Sequence, residues 1–566
     1  MIATRIPHLL LLTTSLVAQS AGDNRFVPAD AQLVVRIASP AKWHEQFADT
    51  KVAQVLGSQA LAPMLGQLQR GIDQRIEAIR SSGKIDADLI EGFLKDYKGD
   101  IVLALQLDFE DMAAAIEDGR PPAMGLSLTL TPDGAYDLGR LATALCDLAE
   151  DEGGDQLRDV TVGEHTLRCV AGEDSTVALP KMIDDQFVMI ICADMEREAA
   201  PFLAKDNRHQ ATGAGKAFHA HIEAKQAIGA LFDVVQRKME SDIHAPPIDM
   251  IQVLTDLGFG CLRSFDFSVT AEDRHAVIET DLHCDAEDRG LFASFMRDQG
   301  TPRLLRYVPP AAESFACQAF DVGAIIDTIE KVWGSFEGVA PFTFDEALEM
   351  FAEKAKVRLR QDLIDHLGTD MLYLENPDQD ELEAAADGEG TMLAGVCLGL
   401  ALRNGAAFGE SLEKALRSNG LHAARKSEEY QGVTIYRLRV GPIEIEYAVT
   451  PDLLLLAPGS SDSAGRQLRA VLDARADPEA GLPANVTRHT EDSAPGWNGL
   501  GVTNIARTLS SMEGAMNQLP PGGPPGLEMV FSLLGTIGKE MAQVGLDSSI
   551  QLTWSSATRM RTRTRL

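Results

Sequence analysis

His219-Ala220-His221-Ile222-Glu223 is the stretch whose residue types and spacing best suit chemistry. Alternate residues of a strand share a face, so the pattern sets two imidazoles and a carboxylate side by side, a donor set suited to a transition metal. The plainer reading is three polar residues on one strand. Trp497-Asn498-Gly499-Leu500-Gly501, at the comparable place later in the chain, has no such ligands, which favours it.

Other stretches offer less. Gly459-Ser460-Ser461-Asp462-Ser463 follows a strand-like run and opens a helix, where backbone N–H groups can hold an anion. It lacks the Gly and Lys of a phosphate-binding loop and the frame of a nucleophile elbow, and ordinary helix capping accounts for it. Acidic runs beginning at Asp108 and Glu375 supply oxygen ligands of the kind calcium takes. They do not follow EF-hand spacing, and solvated insertions account for them. With no Cys-x-x-Cys and no ordered Ser/His/Asp set, no catalytic residue, cofactor-binding residue or cofactor is assigned.

Seven cysteines are an odd number. Cys261 and Cys284 flank a hairpin-like segment, and pairing Phe267 with Ile278 sets the two opposite each other on the inward face, where a cross-strand disulfide is within reach. The alternative is a pair of buried thiols behaving as small apolar side chains.

The elements that position these residues come twice. Phe26-Val27-Pro28 leads into a strand and then a helix capped at Ser39-Pro40; Tyr307-Val308-Pro309 leads into a strand and then a helix capped at Asp321. A long helical stretch is expected over 52–80, with Leu56, Leu61, Leu65 and Leu68 at helical spacing. Leu126, Leu128 and Leu130 alternate with Ser127 and Thr129, as Val396, Leu398, Leu400 and Leu402 alternate in the later half, which predicts half-buried antiparallel strands. Arg559, Arg561, Arg563 and Arg565 alternate with Met560, Thr562, Thr564 and Leu566, so a terminal strand would carry four guanidinium groups on one face, to be held by acidic groups of the same chain. The expected fold is α+β: a tandem duplication of two similar domains, 26–305 and 306–566, each an antiparallel sheet with several packed helices.

Arg5, the apolar run Ile6 to Val17 and Ala18-Gln19-Ser20 have the three parts of a secretory signal peptide over 1–20. The run is shorter than the ~20 residues a membrane span needs, so no transmembrane segment is expected in the mature chain. With 51 Lys+Arg against 84 Asp+Glu the formal charge is -33, a surface that repels nucleic acid. Val27-Pro28-Ala29-Asp30, the strand Gln32 to Ile37 and the helix after it resemble exported envelope proteins of planctomycete-like bacteria that share a domain of unknown function. That resemblance implies periplasmic or secreted location and no catalysis. The expectation is an exported, non-enzymatic binding or scaffold protein whose partner is an envelope protein or ligand. The alternatives are a metal-dependent hydrolase using His219, His221 and Glu223 between the domains, and a carrier of hydrophobic ligands.

Overall fold

The computed structural model describes residues 25–566 apart from 109–114, 116–122, 154–155, 173–174, 205–208, 210–212, 214, 242–247, 299, 337, 377–394, 441–442, 459–461, 478–480, 492 and 516–526. The expected signal peptide, the start of the Gly459 loop and nearly all of the two acidic runs lie outside the described residues.

The chain packs as two compact units, one of residues up to Lys238 with Leu262–His283, the other of Met239–Cys261 with Cys284–Leu566. The position 305/306, expected as a boundary, therefore falls inside the second unit. The reason is local interlock. Leu291 N–H donates to the Leu257 carbonyl at 3.1 Å, Asp285 N–H to the Cys261 carbonyl at 2.7 Å and Asp321 N–H to the Ser294 carbonyl at 2.9 Å. Gly258, at φ +101, sits so near Arg289 that a Cβ there would meet the Arg289 carbonyl oxygen at 2.2 Å.

In the first unit the strands are β1 (Leu33–Ile37), β2 (Ile101–Leu107), β3 (Met124–Leu130), β4 (Leu157–Val162), β5 (His165–Ala171), β6 (Thr176–Ile183), β7 (Gln186–Cys192), β8 (Phe218–Glu223), β9 (Leu262–Glu272) and β10 (His275–Cys284), whose last residue belongs to the other unit. They join in the order β4-β5-β6-β7-β3-β2-β1-β8-β9-β10, antiparallel from β4 through β9. In the second unit they are β11 (Phe315–Ala319), β12 (Leu367–Glu375), β13 (Val396–Leu402), β14 (Lys426–Tyr430), β15 (Val433–Val440), β16 (Ile443–Val449), β17 (Leu453–Pro458), β18 (Gly499–Thr503), β19 (Ser549–Ser555) and β20 (Arg559–Arg565). Their order is β14-β15-β16-β17-β13-β12-β11-β18-β19-β20, antiparallel throughout. Helices join the strands, so the fold is α+β around antiparallel sheets. The Arg-rich terminal segment is a strand, with the Arg561 guanidinium 5.9 Å from the Trp554 ring centre.

Local chemistry accounts for the helix ends. Ser39 accepts a hydrogen bond from Lys42 N–H and opens Pro40–Phe47; Asp321 accepts from Gly323 and Ala324 and opens Val322–Gly334. The expected long helix over 52–80 is instead two, Lys51–Leu56 and Ala62–Ser82, because the first closes at Gly57, whose N–H bonds back to the Ala53 carbonyl.

The sheet of the first unit is buried on both faces around β2, β3 and β7. Leu128, Leu130, Phe187 and Met189 pack under the helices Ala87–Asp96 and Leu138–Gly153 through Leu89, Phe93 and Leu141. Val34, Val102, Ala104, Val188 and Ile190 pack on the opposite face with Phe26, Val27, Met195 and Phe202. This corrects the half-buried reading of β3, since Ser127 and Thr129 are also buried. Phe26 and Val27 fold over that face, and the Ser127 hydroxyl donates to the Phe26 carbonyl at 3.3 Å, which offsets the cost of burying it. In the second unit Leu372, Leu374, Leu453, Leu455, Leu500 and Leu552 form the main core with Leu468, Val471 and Leu472 of the helix Asp462–Ala476.

Leu455 is fully buried, whereas Leu231 is 53% exposed. Leu455→Ala should therefore cost about 2–5 kcal/mol, read as a lower urea midpoint. Leu231→Ala should change stability by less than about 0.5 kcal/mol.

Candidate functional site

Strand β8 lies between β1 and β9, which sets His219 opposite Arg36 and Ser268, and His221 opposite Val34 and Asp266. Opposed residues share a face. His219 Nε2 stands 3.1 Å and His221 Nδ1 3.0 Å from the same oxygen, Asp266 Oδ1. His209 meets His221 edge-on with ring centres 5.0 Å apart, and Glu223 Oε2 is 4.0 Å from His221 Nε2. Gly213 lies over His219 at φ +78, where a Cβ would meet the imidazole at 2.4 Å, so only glycine fits there. The nitrogen on the other side of the His219 ring, Nδ1, is buried without a hydrogen-bond partner among the described residues. Since the Asp266 carboxylate can only accept, His219 Nε2 carries the hydrogen and donates to it.

The three residues of the sequence motif thus gather on one face, and the two imidazoles converge on a carboxylate. Among the described residues no three His, Cys, Asp or Glu side chains are grouped so as to hold a metal ion. Asp266 is the member that sequence reasoning missed. Its polar position in the alternation with Phe265 and Phe267 was legible, but the register that brings it to His221, 45 residues away, was not. Burial raises the pKa of Asp266, yet the hydrogen bonds from His219 and His221 and the charge of both rings outweigh it and hold the carboxyl well below the usual carboxylate range.

A cleft of about 630 Å³ opens at the end of the same sheet face, lined by Gln32, Gln106, Asp108, Arg197, Gln226 and Asp233, among others. Gln32, just before β1, is its organiser: Nε2 donates to the Asp30 carbonyl at 2.8 Å and to Gln226 Oε1 at 3.0 Å, and Oε1 accepts from Leu107 N–H at 2.6 Å. Gln106 Nε2 donates to Asp30 Oδ2 at 3.2 Å, while Gln106 Oε1 is buried with no partner among the described residues. Arg197 is ion-paired with Asp108. Asp30, Glu198 and Asp233 add three more carboxylates to the lining. No local sequence signal marks these residues, because four separate segments supply them.

The second unit has a smaller cleft of about 200 Å³, lined by Ser314, Tyr373, Glu375, Asn504, Arg507 and Thr508, among others. Arg507 Nη1 donates to Asn376 Oδ1 at 2.7 Å and to Glu313 Oε2 at 3.2 Å. Tyr373 donates to Glu375 Oε2 at 3.1 Å, and burial, with the charge of Glu375, pushes its hydroxyl pKa up to about 12. The remaining sequence-assigned pair, Cys261 and Cys284, is buried and present as free thiols.

A folded pKa depressed at Asp266 contributes stability that is present above the unfolded value of about 3.9 and is lost as pH falls through the folded value. Asp266→Asn should therefore lower the unfolding free energy from urea titration at about pH 5.5 by about 1.5–3 kcal/mol, the range for hydrogen bonds to a charged group. The gap to the unaltered protein should narrow as pH is taken below about 4. A gap constant across that range would contradict the His-Asp-His account.

No family model matches the chain, and no curated protein matches it. Among solved structures the chain is similar to three crystal forms of TP0453. Form III is 12% identical over 47% of this chain and 80% of that one, form IV 9% identical over 47% and 81%, and form I 11% identical over 46% and 79%, each with a TM-score of 0.21.

Proposed function

We propose that this chain is a non-enzymatic binding protein of the bacterial envelope, made of two copies of one α+β unit that each present a cleft at the same corner. The support for two copies is topological. The strand orders of the two units agree strand for strand after an offset of ten.

The observation that carries the binding reading is the matched position of the clefts. Leu33 pairs with Leu105 and Ile222 in the first unit, and Phe315 with Leu374 and Val502 in the second. Counting outward from those partners, Gln32 corresponds to Ser314 and Gln106 to Glu375, and all four line the clefts. Each cleft also takes residues from the helix that follows the eighth strand of its unit, Ala224–Ser241 or Ile505–Ala515. Clefts between a sheet end and a helix are common places for ligands. In the first unit the lining holds four carboxylates and an unpartnered amide oxygen against one guanidinium already paired with Asp108. That surface suits a cationic ligand rich in N–H donors, and the formal charge of -33 draws such ligands in.

Gly229 lines this cleft, and a Cβ there meets nothing within 4 Å, so Gly229→Trp fills the space without a backbone clash. Calorimetric titration with spermidine as the cationic probe and citrate as the anionic control tests the reading. Saturable spermidine binding that Gly229→Trp weakens at least about tenfold, a loss of ~1.4 kcal/mol, is expected, with no citrate binding. Equal spermidine heats from both proteins would leave only surface screening and sink the proposal.

A further inference from the structure

We propose that Cys261 and Cys284 form a redox-active pair that closes as a disulfide across the base of the hairpin made by β9 and β10. This concerns covalent chemistry away from either cleft and stands independently of the binding reading.

The geometry has three parts. Cys261 immediately precedes β9 and Cys284 ends β10, and Asp285 N–H donates to the Cys261 carbonyl at 2.7 Å, which brings the two backbones together. Both side chains are buried, at 1% and 4% exposure, and the two thiols are close enough for one to act on the other electrostatically. The enclosed segment Leu262–His283 is counted with the first unit, while Cys261 and Cys284 both belong to the second. The bond would thus tie together the two points where the chain leaves the second unit and re-enters it. At the far end of the hairpin Asp273 and Arg274 both take positive φ, 48° and 69°, as a two-residue type I′ turn requires; that turn sets Glu272 against His275 and not the expected register of Phe267 with Ile278, so the cysteines meet through the turn Phe259–Cys261 that precedes β9.

The exchange needs an external disulfide such as oxidised glutathione. The thiolate of one cysteine attacks one of its sulfurs, a mixed disulfide forms and one glutathione thiolate leaves. The thiol of the other cysteine then gives its proton to solvent, attacks the protein sulfur of the mixed disulfide and expels the second glutathione thiolate. The protein pair loses two electrons, and the external disulfide gains them.

The test uses the full chain held in oxidised glutathione until its thiol count is constant, followed by alkylation under denaturing conditions and peptide mass spectrometry. The expected result is five alkylatable thiols in place of seven, with a Cys261–Cys284 peptide that reducing agent separates. Recovery of both cysteines as free thiols, or a Cys169–Cys192 bridge in their place, would overturn the proposal. Single variants test the mixed-disulfide route: Cys261→Ser should retain a glutathione adduct on Cys284, and Cys284→Ser one on Cys261. Absence of an adduct from both variants would overturn that route. The count on the unaltered chain decides the bridge even if a variant fails to fold.

Discussion

The arrangement depends first on the register of β1. That strand runs through the middle of its sheet, paired on one side with β2 and on the other with β8. A one-residue slip would turn every side chain of β1 to the opposite face. An ion pair that water does not reach resists such a slip: Arg36 Nη1 lies 3.1 Å from Asp100 Oδ2, with the two side chains 3% and 0% exposed. Asp100 is itself held, its N–H donating to Thr131 Oγ1 at 2.6 Å and its carbonyl accepting from the Tyr97 hydroxyl at 2.7 Å. Losing one partner of a buried pair leaves an uncompensated charge, at a cost of about 3–5 kcal/mol. Only this register satisfies both charges.

Everything assigned to the first unit follows from that placement. With Leu33 opposite Ile222, His219 falls opposite Arg36, and His221 falls beside Asp266 of the next strand. The same register carries Gln32 past the sheet end, where its amide reaches Leu107 and Gln226. The His-Asp-His group and the cleft are two outcomes of one strand alignment. In the second unit Gln318 occupies the position of Arg36, and Arg303 N–H reaches Asp370 Oδ2 at 2.8 Å. Its strand order is held without a matching Arg–Asp pair at that position, so the ion pair specifies register in one unit only.

What could be read from the sequence was local. Ser39 and Asp321 announce helix starts through short-range side-chain caps, and the His219 face follows from the period of a strand. What could not be read depends on partners far along the chain. Ser127 looks solvent-facing by alternation, and only the fold-back of Phe26, 101 residues earlier, buries it. Asp266 and Gln226 become site residues through a register that no short window encodes. The division between units escaped for the same reason, since residues 285–307 are tied to the segment around Leu257 by contacts that composition does not signal.

We propose that ligand binds at the corner set by the first strand. Hydrogen–deuterium exchange of the full chain with and without spermidine reads that corner directly. The account predicts slower exchange with spermidine at Leu107, at the amides around Gln32 and along the first turns of the helix Ala224–Ser241, with the exposed helix Ala62–Ser82 unchanged. Exchange unaltered at the corner, or slowed evenly along acidic surfaces elsewhere, would contradict it.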